Sequence, residues 1–361
     1  MSFPPEENPS PGNFQEIKDR WEQLTEWVLQ KKASDILFSK GKINARASSD
    51  VIPYELWVPT PEEYDQMLFY TLPQSTYYKT SLEGPVGAAD YAFKVGDTRY
   101  RGSICRELDG YSAACRPLPK RAYRPAEIGL DMKIVRMVSQ MTKGLVLVTG
   151  PTGSGKSSTI CALIEYLNEN YKYKMITLED PIEYIFTPLK SIIDQREVGT
   201  HVDSYASGVR TAMRQAPNVI FVGEIRDLET VMAAMQAAET GHLVFATLHT
   251  EQVFATIMRI VDIAPHEKKD EVRAVLAHTL RMIIGQRLLR KVGGGVVAAR
   301  EIYINIPAGE TQIRRSGEKG LISVMQTNRT MGMVDWDTAL KELCVAELID
   351  EETCRTNLTP S

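Results

Sequence analysis

The segment Gly150-Pro151-Thr152-Gly153-Ser154-Gly155-Lys156-Ser157-Ser158 has the residue types and spacing of a phosphate grip. Glycines at its first, fourth and sixth positions let successive backbone N–H groups turn inward around phosphate oxygens. An apolar run, Leu145–Thr149, leads into it, and Ile160–Leu167 after it has helical spacing. That is the strand–loop–helix setting a P-loop requires, with the helix N-terminus adding positive potential. In such a loop Lys156 neutralises the β- and γ-phosphates of ATP, and Ser157 ligates Mg²⁺.

A phosphate grip alone does not hydrolyse ATP, because a further group has to orient the attacking water. Three segments offer candidates, each at the C-terminal end of an expected strand, the edge where open α/β sheets hold their ligands. In Met175-Ile176-Thr177-Leu178-Glu179-Asp180-Pro181-Ile182-Glu183 the acids Glu179, Asp180 and Glu183 cluster just after a strand. In Val219-Ile220-Phe221-Val222-Gly223-Glu224-Ile225-Arg226-Asp227 an apolar strand ends in Glu224, with Gly223 where a Walker B segment usually carries Asp. Glu224 is the candidate for polarising the water. In Thr240-Gly241-His242-Leu243-Val244-Phe245-Ala246-Thr247-Leu248-His249 two histidines bracket one strand. Seven residues apart on a strand about 20 Å long, they cannot share a metal ion. His249, at the C-terminal end, is the candidate for sensing the γ-phosphate, and His242 for packing or a subunit contact. Arg99, Arg101, Arg106 and Arg116 lie earlier, on a β-rich stretch, and Arg196, Arg210, Arg214 and Arg226 lie among the acidic segments. The first four could stabilise transition-state charge from another domain or subunit, and any of the second four could face a neighbouring subunit.

The elements that position these groups fall into two blocks. Phe14–Lys32 has apolar residues at helical spacing, Ala33–Arg46 reads as a short strand and turn, Glu62–Tyr70 as a helix, and Ala89–Pro117 as β-rich pieces punctuated by glycine. This predicts a mixed α+β domain over 14–118, with Pro119 and Pro125 marking a linker over 119–125. From 126 to 361 short apolar runs (Leu145–Thr149, Met175–Leu178, Val219–Val222, Leu243–Thr247) alternate with helical stretches, which predicts an α/β domain with a mostly parallel sheet. Val334–Cys354 reads as small helices capped by Asp335 and Asp350.

With 361 residues, 43% apolar and 24% charged, the chain has an ordinary globular composition and room for two domains. The net charge of -4 leans against broad nucleic-acid binding. The five cysteines include no C-x-x-C pair, so neither a zinc site nor a disulfide framework is expected. No apolar run reaches the roughly 18 residues of a membrane span. The first 13 residues, rich in Pro, Glu and Asn, read as a disordered tail, and the protein reads as cytoplasmic.

The order P-loop, L-E-D-P-I-E-Y, V-G-E-I-R-D and T-G-H-L-V-F-A-T-L-H-T resembles the type II/IV secretion ATPase superfamily, and within it the PilT-like retraction ATPases of type IV pili, from about Ala33 to Cys354. Ala33-Ser34-Asp35-Ile36, Arg99-Tyr100-Arg101 with Arg116, Gln195–Gly199, Thr211–Pro217 and Gly332–Asp335 carry it further. The resemblance implies a PAS-like N-terminal domain and a RecA-like C-terminal domain, with ATP bound between them, assembled as a homo-hexameric ring. It makes Glu179, Asp180 and Glu183 an Asp box, Glu224 the catalytic glutamate, with Glu179 and His249 also catalytic, and His242 and His249 a His box. Arg99, Arg101 and Arg116 become ATP-contacting arginines. It implies a cytoplasmic motor, peripheral at the inner membrane, working on a platform protein there. PilT-like chains carry A-I-R-N-L-I-R-E where this chain has Ala308–Arg315, and DotB/TraJ-like secretion ATPases share the architecture, so retraction and secretion both stay open. A P-loop nucleic-acid translocase is the alternative, distinguished by salt-dependent DNA binding, and a nucleotide-binding regulator would lack turnover.

Overall fold

The computed structural model describes residues 11–47, 50–72, 76–85 and 87–359. The expected tail therefore lies outside the described residues up to residue 10, while residues 11–13 already belong to the helix Pro11–Gln30. The chain divides into two units, one comprising Met1–Arg121 with Asp180–Ile185, the other Ala122–Glu179 with Phe186–Ser361.

Among the described residues, the first unit is built on six antiparallel strands: β1 (Asp35–Ser39), β2 (Lys42–Ala47), β3 (Asp50–Pro53), β4 (Ala88–Val95), β5 (Thr98–Glu107) and β6 (Gly110–Pro117). Their order is β3-β2-β1-β6-β5-β4. The helix Pro11–Gln30 lays Ile17, Trp21, Leu24 and Val28, one per turn, into the core. Trp21 is fully buried, and its indole N–H donates to the Met67 carbonyl at 2.9 Å, so the polar edge of the ring is satisfied. Phe93 stacks on Tyr100 at 5.1 Å and meets Trp21 edge-on at 5.3 Å. Gly102 pairs with Tyr91 across β5 and β4, and a Cβ there would stand 2.7 Å from the tyrosine ring. Glycine thus makes room for the aromatic layer.

The segment Asp180–Ile185 belongs to this unit, unlike the sequence reading that puts all of 126–361 in one domain. The cause is visible on β5. Arg99 donates to the Ile182 carbonyl at 3.1 Å, and Arg101 pairs with Glu183 at 3.3 Å.

Among the described residues, the second unit holds seven strands: β7 (Gly144–Thr149), β8 (Lys174–Glu179), β9 (Ile192–Glu197), β10 (Val219–Val222), β11 (Leu243–Leu248), β12 (Leu280–Arg290) and β13 (Val296–Ile304). The order is β13-β12-β7-β11-β10-β8-β9, with all neighbours parallel except the edge pair β12–β13. Strands β7, β10 and β11 are buried along their whole length. Helices on both faces explain that, and explain why these strands read as unbroken apolar runs. The helices Trp336–Val345 and Glu351–Asn357 are capped as expected by Asp335 and Asp350, which accept from the N–H groups of Thr338 and Thr353. Leu340, Ile349 and Cys354 pack with Trp336 against Leu289 and Ala299 of β12 and β13. Among the described residues no helix is long and apolar enough to cross a membrane.

Candidate active site at the carboxyl edge of the parallel sheet

Because β7, β11, β10 and β8 are parallel and adjacent, the segments that follow them emerge along one edge. Thr149 of β7 is level with Leu248 of β11, and Ala246 of β11 with Val222 of β10. At about 4.8 Å between strands, His249 is one spacing from the phosphate loop, Glu224 about two, and Glu179 about three.

The loop from Gly150 to Gly155 joins β7 to the helix Lys156–Asn170. Gly150, Gly153 and Gly155 have φ of +149°, +78° and +83°, values a side chain disfavours. A Cβ on Gly150 would meet the Gln286 carbonyl oxygen at 2.1 Å, whereas one on Gly153 would meet nothing within 4 Å. The loop is therefore packed against β12 at its start and open at its tip. Ser154 Oγ is buried without a hydrogen-bond partner. An open cradle of glycine N–H groups with a buried, unsatisfied hydroxyl fits an anionic phosphate chain. Ser157 lies in the first turn of the helix, as a Mg²⁺-binding hydroxyl must, and Ser158 follows it. Magnesium in such sites is held mainly by phosphate oxygens and water with few protein ligands.

Lys156 is 8% exposed and directs its ammonium back into the loop, donating to the carbonyls of Gly150 (2.9 Å) and Pro151 (3.0 Å). A third neighbour is His249 Nδ1 at 3.5 Å, and Thr152 Oγ1 lies 3.4 Å from the same nitrogen. On the other side of the ring, His249 Nε2 stands 3.1 Å from Glu224 Oε1. These partners assign the tautomer: an ammonium can only donate and a carboxylate only accept, so Nδ1 is the acceptor and Nε2 carries the hydrogen. Burial and the Lys156 charge lower the His249 pKa, with Arg226 adding and Glu224 opposing. The neutral imidazole is thus the resident form. Glu224 is completed by Arg226, whose Nε donates to Oε2 at 2.7 Å.

Gly223 stands where a Walker B strand usually ends in Asp. A Cβ there would lie 2.9 Å from Tyr205 Oη and 3.0 Å from the Leu178 carbonyl oxygen, so the crossing of β8, β10 and the helix Tyr205–Ala212 leaves no room for a side chain. Asp227 caps the helix Leu228–Glu239 through the Thr230 N–H.

The other sequence candidates make separate contacts. Glu179 is buried, with Oε1 accepting from Thr177 (2.6 Å) and Gln195 (3.2 Å). Asp180 and Glu183 belong to the first unit, where Glu183 pairs with Arg101. Arg99 holds the Ile182 carbonyl and Arg116 pairs with Asp35 at 2.8 Å, both within that unit. His242 sits at the opposite end of β11 from His249, its Nδ1 donating to the Ala237 carbonyl at 2.9 Å. Arg196 donates to Gln215, Arg210 pairs with Glu229 and Arg106 donates to the Leu82 carbonyl. Sequence reasoning missed the contact of Thr152 with His249, and it missed Gln286 altogether. A buried glutamine inside Ile283-Ile284-Gly285-Gln286 was the available signal.

A parallel sheet with a glycine phosphate loop on a central strand, and an acid and a neutral histidine converging on the loop lysine, defines a P-loop nucleoside triphosphatase. Residues 126–341 match the family model described as type II/IV secretion system protein. The type IV pilus retraction ATPase PilT of Pseudomonas aeruginosa is 42% identical over 267 residues, covering 74% of this chain and 77% of the relative. The crystal structure of the pilus retraction motor PilT with bound ADP aligns with a TM-score of 0.84 at 39% identity, over 94% of this chain and 96% of that one. The Legionella pneumophila ATPase DotB aligns with a TM-score of 0.77 at 25% identity, over 94% and 95%. The chain belongs to the type II/IV secretion system protein family, as a PilT-like ATPase.

Proposed function

We propose that this chain is a Mg²⁺-dependent ATP-driven motor that works as a homo-hexameric ring on an inner-membrane platform protein of a pilus or secretion machine. One observation carries the reading: the contact chain Lys156–His249–Glu224, spanning 3.5 and 3.1 Å at the carboxyl edge of the sheet. It links the residue that grips phosphate to an acid able to take a proton from water. Similarity to the PilT motor, whose structure holds ADP, supports the nucleotide. Pilus retraction and secretion both fit, since the chain is similar to PilT and to DotB alike.

In this reading Lys156 exchanges the Gly150 and Pro151 carbonyls for β- and γ-phosphate oxygens. The amides of residues 152–157 hold the same oxygens, and Ser157 holds the magnesium ion. Magnesium, when bound, neutralises charge that builds on the phosphates. His249, neutral, has an Nε2–H able to turn from Glu224 towards a γ-phosphate oxygen. That exchange frees Glu224 Oε1 to accept a proton from the attacking water, while Arg226 keeps Oε2 oriented. Arg99, Arg101 and Arg116 act as nucleotide contacts in the assembled ring, Arg101 exchanging Glu183 and Arg116 exchanging Asp35 for phosphate.

The test is ATP turnover by Glu224→Gln. The reading expects a loss of about 100-fold or more, the range for removing a general base, with Mg-ADP binding unchanged. Equal phosphate release by the variant and the parent removes the catalytic assignment. Native mass spectrometry with nucleotide is expected to show hexamers, and monomers at every concentration would refute the ring.

A further inference from the structure

Gln286 meets the phosphate loop from β12, the strand beside β7. It is 2% exposed, and both ends of its amide are used. Nε2 donates to the Ser154 carbonyl at 2.6 Å, and Oε1 accepts from the Thr159 hydroxyl at 2.8 Å. The orientation follows from chemistry, since the Ser154 carbonyl can only accept and must face the NH₂ end. Thr159 is itself 1% exposed, one turn into the helix that follows the loop. The amide therefore ties three elements together: β12, the loop, and the helix.

The Ser154–Gly155 peptide is planar and trans, so its C=O and N–H point in opposite directions. With the carbonyl drawn towards β12, the Gly155 N–H points away from β12. Glycine at 155, with φ of +83°, offers little resistance to rotation of this peptide. A rotated peptide would present a carbonyl oxygen, rather than an N–H, to bound phosphate.

We propose that Gln286 is a positioning residue for nucleotide binding: it latches the Ser154 carbonyl so that the Gly155 N–H faces phosphate, and Thr159 locks the latch. The inference rests on the reading of this loop as a nucleotide cradle. It concerns residues outside the phosphate loop, the acidic box and the histidine box.

The test uses the full chain and Mg-ADP as probe, with affinity by calorimetry and by the Mg-ADP-induced rise in melting temperature. Gln286→Leu is expected to weaken Mg-ADP about tenfold, the factor for one lost hydrogen bond of ordinary strength. KM for ATP rises by a similar factor with kcat nearly unchanged, because ground state and transition state lose the same contact. Thr159→Val weakens binding in the same direction, and Thr159→Ser, which keeps the hydroxyl, restores it. A purely structural role would lower the melting temperature with affinity unchanged, and that result overturns the proposal. Where Gln286→Leu fails to fold, the threonine pair decides: equal affinity in Thr159→Val and Thr159→Ser, whether normal or weakened, overturns it. Failure of the unmutated chain to bind Mg-ADP is a different outcome, which removes the nucleotide reading and the latch with it.

Discussion

Replacing Glu301 with glutamine is expected to stabilise the second unit, and to do so progressively more as pH rises. Glu301 lies on β13 opposite Gly285 of β12, and its Oε2 accepts from the Val253 N–H at 2.8 Å. Val253 opens the helix Val253–Asp262, whose N-cap Gln252 makes no side-chain cap bond, so the carboxylate supplies the cap from another strand. A Cβ on residue 285 would lie 3.4 Å from Oε2, an ordinary van der Waals contact, so the carboxylate packs closely over that glycine. Burial raises the Glu301 pKa from 4.5 to about 7; the Val253 N–H pulls it down, and Asp335 and Asp337 push it up. Between these two values the folded protein holds a proton that the unfolded chain has released. Stability is therefore fully present below pH 4.5 and is lost as pH climbs through 7. At about 1.4 kcal/mol for each pH unit separating the two pKa values, the loss approaches ~3 kcal/mol. Glutamine keeps an acceptor for Val253 and removes the charge. The gap between Glu301→Gln and the parent should widen from under ~1 kcal/mol at pH 5 to ~3 kcal/mol at pH 8. Scanning calorimetry reads this as a rise in the difference in melting temperature of roughly 5–10 °C, for a unit of this size. The transition to follow is that of the second unit, which Mg-ADP is expected to raise. Groups that do not interact with Glu301 cancel in the difference, and Asp335 and Asp337 are already charged from pH 5 upwards, so a gap that stays constant from pH 5 to pH 8 refutes the reasoning.

Protonation of His249 would turn Nδ1 into a donor facing the Lys156 ammonium, and its lowered pKa places that event below about pH 6.5. ATP turnover is expected to fall on that acid limb, and His249→Gln to flatten the limb in a pH–rate profile. Gly150→Ala forces a Cβ to 2.1 Å from a backbone oxygen of β12 and should cost about 1–3 kcal/mol in urea unfolding while abolishing Mg-ADP binding. Trp21→Ala empties the centre of the first unit and orphans the Met67 carbonyl; about 3–5 kcal/mol is expected in the unfolding transition of that unit. Asp335→Ala removes the cap on Thr338, and a drop of about 1 kcal/mol by the same method checks it.

The parts legible in the sequence were those written in local pattern. Strands β7, β8, β10 and β11 stood out because burial on both faces demands unbroken apolar runs, and the phosphate loop because its glycines are needed at fixed spacing. Strands β12 and β13 escaped notice because Arg281, Gln286, Arg287, Arg300 and Glu301 interrupt them. Several of these side chains are committed to specific partners: Arg300 to the carbonyls of Ile128 and Gly129, Glu301 to Val253, Gln286 to Ser154. Edge strand β9, Ile-Ile-Asp-Gln-Arg-Glu, is mostly half-exposed and reads as loop. The site was legible as a set of residues but not as an arrangement. That His249 falls between Lys156 and Glu224 depends on β11 lying between β7 and β10, a consequence of strand order that no local spacing encodes. The acidic cluster after β8 shows the same limit from the other side. Glu179 and Glu183 are four residues apart in the chain, yet they belong to different units: Arg101 of β5 holds Glu183, and Arg99 holds the carbonyl of Ile182 before it.

The level pairing of Thr149 with Leu248, and of Ala246 with Val222, has a consequence for misfolding. Side chains alternate faces along a strand, so β11 slipped by a single step would present Leu248 where the imidazole belongs and send the ring to the other surface. Because β11 is buried on both faces, the slip would also disturb the packing above and below the sheet. What it would lose first is the imidazole between Lys156 and Glu224, and turnover with it.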